Sequence, residues 1–216
     1  MAFLYQTRIY ADDEKEAAVA TIVANAIPDR DFYLLVVGAA LFALCGIALD
    51  SIPVLIGAMI VAPLASPILA LGLGIVARNG RLMARSALTL VAASAAATAV
   101  AATAAYFLPP FSINGSFISF AVHPLYDIAI ALIAGAIAAY GTMRIKVGGA
   151  MTGIGIAVSL MPPLIAAALA LGRYDMTLFR ESSLIFLFNV GGILIGSTIV
   201  LAAFKMGSHY RSDTNR

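Results

Sequence analysis

The sequence has no tryptophan, a single cysteine and two histidines, and only 11% of its 216 residues are charged. A soluble domain carries about 25% charged residues, so this shortage argues against a soluble fold. With Cys45 alone, an intrachain disulfide and a cysteine-cluster metal site are excluded. The sequence also lacks a cluster of histidines with carboxylates and a nucleophile beside a plausible base. We therefore expect no enzymatic activity, no bound metal and no cofactor.

Hydrophobic residues are abundant instead: they make up 62% of the chain, whose mean hydropathy is +1.00. Most lie in six apolar runs, each about long enough to cross a hydrocarbon core of about 30 Å. The runs span residues 32–49, 53–77, 86–108, 127–143, 147–171 and 183–204. Such long, uniform runs are typical of helices, because barrel strands alternate over about ten residues. We predict an all-α integral membrane protein whose six transmembrane helices (32–204) follow a short N-terminal segment (1–31) and precede a tail (205–216).

Lysine and arginine are distributed unevenly among the connections between the runs. One side holds Arg8, Lys15, Arg30, Arg78, Arg81, Arg85, Arg144, Lys146, Lys205, Arg211 and Arg216. The other side holds only Arg173 and Arg180. The positive-inside rule then places both termini in the cytoplasm. Because these charges are spread over several loops and form no patch, we expect no nucleic-acid partner.

The first 31 residues do not resemble a signal peptide, because acidic side chains stand where a basic region is required. Between Val19 and Ile27, apolar residues recur at helical spacing beside a charged face, and Pro28 follows. This pattern predicts a short amphipathic helix that ends before Pro28. We expect this helix to lie on the membrane or to pack against a neighbouring subunit, and a regulatory role is the alternative.

Two long apolar runs contain prolines near their middle, and they occupy corresponding places in the two halves of the chain (about 32–113 and 114–204). Each half has a plain run, a proline-broken run and a run rich in small residues. At an offset of 99 residues, Pro63 aligns with Pro162. Because each half has an odd number of spans, the halves would form two inverted three-helix repeats, with helices 2 and 5 broken at prolines. The alternative is that both prolines serve helix packing alone.

Proline has no N–H, and its ring clashes with the carbonyl four residues earlier. We therefore predict that backbone oxygens inside the membrane lack their helical partners, namely the carbonyls of Met59, Pro63, Val158 and Ser159. A helix that restarts after such a break presents unpaired N–H groups and a positive dipole end. The pair of breaks would then suit a small zwitterion, or an anion with a coupling cation. The predicted binding residues are Met59, Pro63, Ser66, Pro67, Val158, Ser159, Pro162, Pro163 and Asn189.

Other polar residues have two interpretations each. Asn189 is the most polar residue inside the sixth run, and it either lines the site or ties its helix to a neighbour. Asp50 and Asp127 stand at the outer ends of the first and fourth runs. They are candidates for coupling or gating, although acidic residues at these positions often only mark the membrane interface.

Two motifs resemble those of a known family. They are Ile-Gly-Ala-Met-Ile-Val-Ala-Pro-Leu at residues 56–64, followed by Ser-Pro-Ile at 66–68, and Gly-Ile-Ala-Val-Ser-Leu-Met-Pro-Pro-Leu at 155–164. Together and in this order they resemble the bacterial and archaeal "uncharacterised hydrophobic protein" family. The resemblance implies a multi-pass protein of a prokaryotic inner or plasma membrane, with a function not established and no known site residues. It also implies that some relatives carry a larger soluble region before the membrane part.

These features favour a small secondary transporter or facilitator of a small polar or ionic solute, with its site between the proline breaks. A homo-oligomeric channel is the first alternative, because six spans are few for one subunit to enclose a site. A membrane scaffold or sensor that does not transport is the second, and it would depend on the N-terminal segment.

Overall fold

The computed structural model describes residues 12–107, 124–143, 149–208 and 210. These residues form helices, and the helix bounds follow the predicted apolar runs closely. The helices are α1 (Asp12–Asn25), α2 (Arg30–Ala48), α3 (Ile52–Val61), α4 (Ala65–Ala77), α5 (Gly80–Phe107), α6 (Pro124–Thr142), α7 (Gly149–Gly172) and α8 (Met176–Ala203). The prediction of an all-α fold is therefore confirmed.

Three of the described helices, α2, α5 and α8, are long and apolar enough to cross a membrane. The pair α3 and α4 would make a fourth span, bent by 48° at its break. Helices α6 and α7 contain the shorter apolar stretches Tyr126–Thr142 and Leu160–Gly172. The helices are thus compatible with a membrane protein, while the count of six spans stays a prediction.

Two helix connections share one turn geometry. Arg78 after α4 and Tyr174 after α7 both adopt the left-handed conformation, with φ of 54° and 61°. The next residue in each case, Asn79 or Asp175, accepts a hydrogen bond from the backbone N–H three residues later, at 2.9 Å and 3.0 Å. A left-handed residue closes one helix and a polar side chain caps the next, so each connection reverses the chain within a few residues.

Close contacts at glycines show which helices run in the same direction. A methyl group at Gly192 of α8 would lie 2.6 Å from Cβ of Ala131 in α6. Further along both helices, the rings of Phe204 and Tyr140 are 6.1 Å apart. Helices α6 and α8 are therefore parallel. Gly207, just after α8, lies against the backbone of Val76 in α4, so the C-terminal ends of α4, α6 and α8 meet at one end of the bundle.

The opposite end of the bundle holds the C-termini of α5 and α7. A methyl group at Gly172 of α7 would lie 2.6 Å from the carbonyl oxygen of Ala102 and 3.2 Å from Cβ of Ala105 in α5. Gly74 of α4 faces Met83 of α5, so α4 and α5 form an antiparallel hairpin. Since α5 and α7 run in the same direction, α7 is antiparallel to α3 and α4.

Helix α7 is the centre of the bundle. It packs against α2, α3, α4, α5, α6 and α8, and its residues 160–170 are all buried. A helix that is apolar on every side is normally enclosed by protein. The inner face of α5 is made of small residues, Ala93, Ala97, Ala101 and Ala105. Large apolar side chains such as Leu34, Leu88 and Leu187 are instead exposed on the outside of the bundle.

The N-terminal segment contains a helix, α1, which ends at Asn25 before Pro28. Its apolar face is covered by this chain itself, because α1 contacts α4 and α6. Ala18, Val19 and Ile22 are buried, whereas Ile27 is 59% exposed. The expectation that this face lies on the membrane or on a neighbouring subunit is therefore wrong, since α4 and α6 offer an apolar surface within the same chain.

Candidate functional site

The break between α3 and α4 begins at Ala62 because proline follows it. A residue before proline is pushed out of the helical region, and Ala62 has φ −67° and ψ 121°. Leu64 returns to helical angles, and α4 begins at Ala65. Ala62, Leu64 and Ala65 are all buried. At membrane depth, non-helical backbone is tolerated only when protein or a water-filled cavity surrounds it, and this break lies inside the bundle.

Two backbone hydrogen bonds form at the break. The N–H of Ala62 donates to the carbonyl of Ala58 at 3.2 Å, and the N–H of Ser66 donates to the carbonyl of Pro63 at 3.3 Å. The prediction that the Pro63 carbonyl lacks a partner is therefore wrong, because the chain makes a tight turn before α4. The carbonyl of Met59 differs: residue 63 is proline and has no N–H to donate to it.

The first turn of α4 offers few donors. Pro67 has no N–H, and the N–H of Ser66 is already bonded to Pro63. The N–H groups of Leu64 and Ala65 remain. Pro67 is buried and the Ser66 side chain is half-buried, so both predicted residues lie at the protein interior rather than at its outer surface.

The second proline pair lies within a continuous helix. Helix α7 extends from Gly149 to Gly172 through Pro162 and Pro163. The predicted break at this position is not observed, because helices surround both buried prolines and hold the segment in place. The prolines still provide no N–H to the carbonyls of Val158 and Ser159. The side chains of Val158 and Ser159 lie outside the described residues.

The helices that carry the two pairs of prolines pack against one another, because α3 and α4 both contact α7. The Met59 side chain, 5% exposed, lies in the core that also contains Leu160 and Met161. The first half contributes a real interruption of the helix and the second contributes freed carbonyls within an intact helix. The candidate site is therefore asymmetric, unlike the two matched breaks that the sequence predicts.

Asn189 is 4% exposed on α8, on the helix face that also carries Gly192 and Gly196. Those two glycines pack against α6. This position favours the second interpretation of Asn189, a polar tie between α8 and α6. Its neighbours further along α8, Ser197 and Thr198, both donate to the carbonyl of Leu194, at 3.0 Å and 2.6 Å.

The two acidic candidates lie away from the break. Asp50 is exposed in the turn between α2 and α3, with φ of 51°. Asp127 is half-buried in the first turn of α6, where a carboxylate stabilises the positive end of the helix dipole. Both stand at the end of the bundle opposite the α8 C-terminus. Among the described residues, no group of three His, Cys, Asp or Glu side chains is placed to hold a metal ion.

The sequence analysis did not single out two buried serines. Ser86 of α5 and Ser182 of α8 are 2% and 3% exposed. The Ser86 hydroxyl has no hydrogen-bond partner within the described part of the chain. The two serines are 96 residues apart in the sequence (182 − 86). An offset of 99 residues does not align Ser86 with Ser182.

Comparison with known proteins identifies the family. Residues 59–195 match the model of a domain of unknown function, DUF389. The chain is 28% identical over 193 residues to an uncharacterized protein of Methanocaldococcus jannaschii. That alignment covers 89% of this chain and 59% of the relative, so the chain spans less than two thirds of that protein. No solved structure matches the chain. The family match contains both proline segments, the resemblance seen in the sequence is confirmed, and the protein belongs to the DUF389 family.

Proposed function

We propose that the protein is a small secondary transporter or facilitator of a small polar or ionic solute, with its site where the α3–α4 break faces α7. The observation that carries this proposal is the interruption of the helix between Val61 and Ala65, where Ala62 leaves the helical region and both Ala62 and Leu64 are buried. Unsatisfied backbone groups inside a membrane are costly, and in transporters such discontinuous helices form the binding site. The proline pair of α7 adds freed carbonyls beside it.

An inverted repeat is part of this proposal, and helix lengths support it. Helices α2 and α6 both have 19 residues, and α5 and α8 both have 28. At an offset of 96 residues (163 − 67), Pro67 pairs with Pro163 and the left-handed Arg78 pairs with Tyr174. The same offset also pairs the start of α5 with the start of α8 (176 − 80). We therefore prefer an offset of 96 to one of 99 for the proposed repeat.

We also propose that the end of the bundle with the α8 C-terminus faces the cytoplasm. Among the described residues, this end holds Arg30, Arg78, Arg81, Arg85 and Lys205, whereas the opposite end holds Arg173 and Arg180. Cysteine labelling checks this in a Cys45→Ser background, since Cys45 is exposed. We expect a membrane-impermeant maleimide to label Tyr174→Cys in intact cells. Arg78→Cys and Ser208→Cys should react only after lysis. Labelling of Arg78→Cys in intact cells would contradict this orientation.

Transport is tested with the purified protein in liposomes and three radioactive probes: rubidium, chloride and glycine. We expect uptake of at least one probe above that of empty liposomes. The double variant Pro63→Ala and Pro162→Ala should reduce this uptake about tenfold, because it restores N–H donors at the site; a hydrogen bond to a charged group is worth about 1.5–3 kcal/mol.

The matched control is Pro53→Ala. Pro53 stands in the first turn of α3, where a backbone N–H has no acceptor within the helix. Its replacement by alanine therefore gives no backbone carbonyl a new hydrogen-bond donor. Wild-type uptake by a well-folded Pro63→Ala, Pro162→Ala variant would refute the mechanism. Saturable flux indicates a carrier, whereas discrete single-channel currents in planar bilayers would indicate the homo-oligomeric channel.

A further inference from the structure

We propose that the site between the α3–α4 break and α7 selects monovalent cations and excludes anions; this inference rests on the proposed function. The chemical basis is the balance of backbone groups. Freed carbonyl oxygens outnumber free N–H groups there, and the three helices that form the site carry no charged side chain.

The acceptors come from both halves of the chain. Prolines at 63, 162 and 163 leave the carbonyls of Met59, Val158 and Ser159 without their helical donors. The last turn of α3 adds the carbonyls of Ile60 and Val61, which precede the break. Helix C-termini and unwound backbone carbonyls are the groups that coordinate alkali cations in membrane proteins.

Donors are scarce at the same level. The break uses the N–H groups of Ala62 and Ser66 internally, and Pro63 and Pro67 have none. Leu64 and Ala65 are left as the backbone donors at the start of α4. An anion at a helix N-terminus normally needs several converging N–H groups. The prolines therefore remove from α4 the feature that would make its N-terminus an anion site.

Along the helix axes, the freed oxygens of α3 and α7 are directed toward the same level of the bundle. A carbonyl in a helix is directed toward the C-terminus of that helix, and α3 and α7 are antiparallel. At about 1.5 Å per residue, Met59 lies about 10 Å from the start of α3 and Ser159 lies about 20 Å from the end of α7. Both distances are measured from the same end of the bundle. The Met59 and Ser159 oxygens thus face the intervening level, where the break from Ala62 to Leu64 lies.

The charge of the cation follows from the same residues. Calcium and magnesium sites in proteins normally include carboxylate ligands, and α3, α4 and α7 contain no Asp or Glu. Neutral oxygens suit an ion of single charge, because such an ion pays a smaller desolvation penalty than a divalent one. An alkali cation is the ligand class that this arrangement fits.

The three-probe liposome assay tests the inference. We expect uptake of rubidium, while chloride and glycine stay at the level of empty liposomes. Pro163→Ala gives the Ser159 carbonyl an N–H donor, so its rubidium uptake should fall about tenfold, whereas Pro53→Ala should match the wild type. A second measurement needs no flux: rubidium chloride should raise the melting temperature of the solubilised wild-type protein above that in choline chloride, and Pro163→Ala should abolish the difference.

The outcomes separate this inference from the proposed function. Uptake of chloride or glycine that depends on Pro63, without rubidium uptake, would overturn cation selectivity and leave the transporter proposal standing. Absence of uptake for all three probes would overturn both. Rubidium uptake and rubidium stabilisation that are equal in Pro163→Ala and the wild type would show that the freed carbonyl does not bind the ion.

Discussion

Alanine at position 196 is expected to lower the melting temperature of the solubilised protein by about 6–12 °C. A Cβ there would overlap the carbonyl oxygen of Leu132 and lie 3.1 Å from the N of Ala136, so α6 and α8 must separate. Overpacking of this kind costs up to about 3 kcal/mol, and each kcal/mol shifts the melting temperature by about 2–4 °C in a chain of this size. Differential scanning fluorimetry in a mild detergent measures the change.

Gly191→Ala is the matched control on the same helix. No atom lies within 4 Å of a Cβ at Gly191, and alanine favours a helix over glycine by up to about 1 kcal/mol. Its melting temperature should therefore equal or slightly exceed that of the wild type. Gly135→Ala, which meets the backbone of Ile193 from the α6 side, should behave like Gly196→Ala. Equal melting temperatures for Gly196→Ala and Gly191→Ala would refute the close α6–α8 contact.

Leu169→Asn should be the most damaging single change that we consider. Leu169 is 0% exposed in the last turn of the central helix, α7. Burial of an amide without partners costs about 2–7 kcal/mol, in addition to the lost packing of leucine, whereas whole domains are stable by about 5–15 kcal/mol. We expect the variant to lose its monodisperse peak in size-exclusion chromatography.

Leu171→Asn provides the comparison, since Leu171 lies two residues later on α7 and is 38% exposed. It should elute like the wild type and lose only a few degrees of thermal stability. If Leu169→Asn also eluted as a folded protein with wild-type stability, α7 would not be enclosed on all sides as described.

Helix positions were predictable from the sequence because long apolar runs and their flanking charges leave few alternatives. Even the break at Pro63 follows from a local rule, the exclusion of helical angles before proline. The same rule fails at Met161, which precedes Pro162 and is nevertheless helical. At Met161 the packing of the surrounding helices keeps the backbone helical. The local sequence does not indicate how many helices pack around a given helix.

The register of the proposed repeat and the position of α1 depend on tertiary structure as well. The prolines alone suggest an offset of 99 residues, whereas the left-handed turns at Arg78 and Tyr174 fit an offset of 96 residues. Neither arginine nor tyrosine is a residue type that indicates a left-handed turn in a sequence. For α1, the apolar face was evident in the sequence, but which surface covers it was not. Only the placement of α4 and α6 beside Val19 and Ile22 answers that question.

On the alanine-lined face of α5, enlarging a side chain should be more harmful than trimming one. In a water-soluble protein, trimming a large interior side chain is the typical injury. Here the interior positions Ala97 and Ala101 are already minimal, and bulky residues such as Leu88 are outside. Packing along this face of α5 then depends on close approach of the helix backbones rather than on burial of large apolar side chains. Replacing an interior alanine of α5 with a larger residue should therefore destabilise the protein, whereas trimming an exposed leucine of this helix should have little effect.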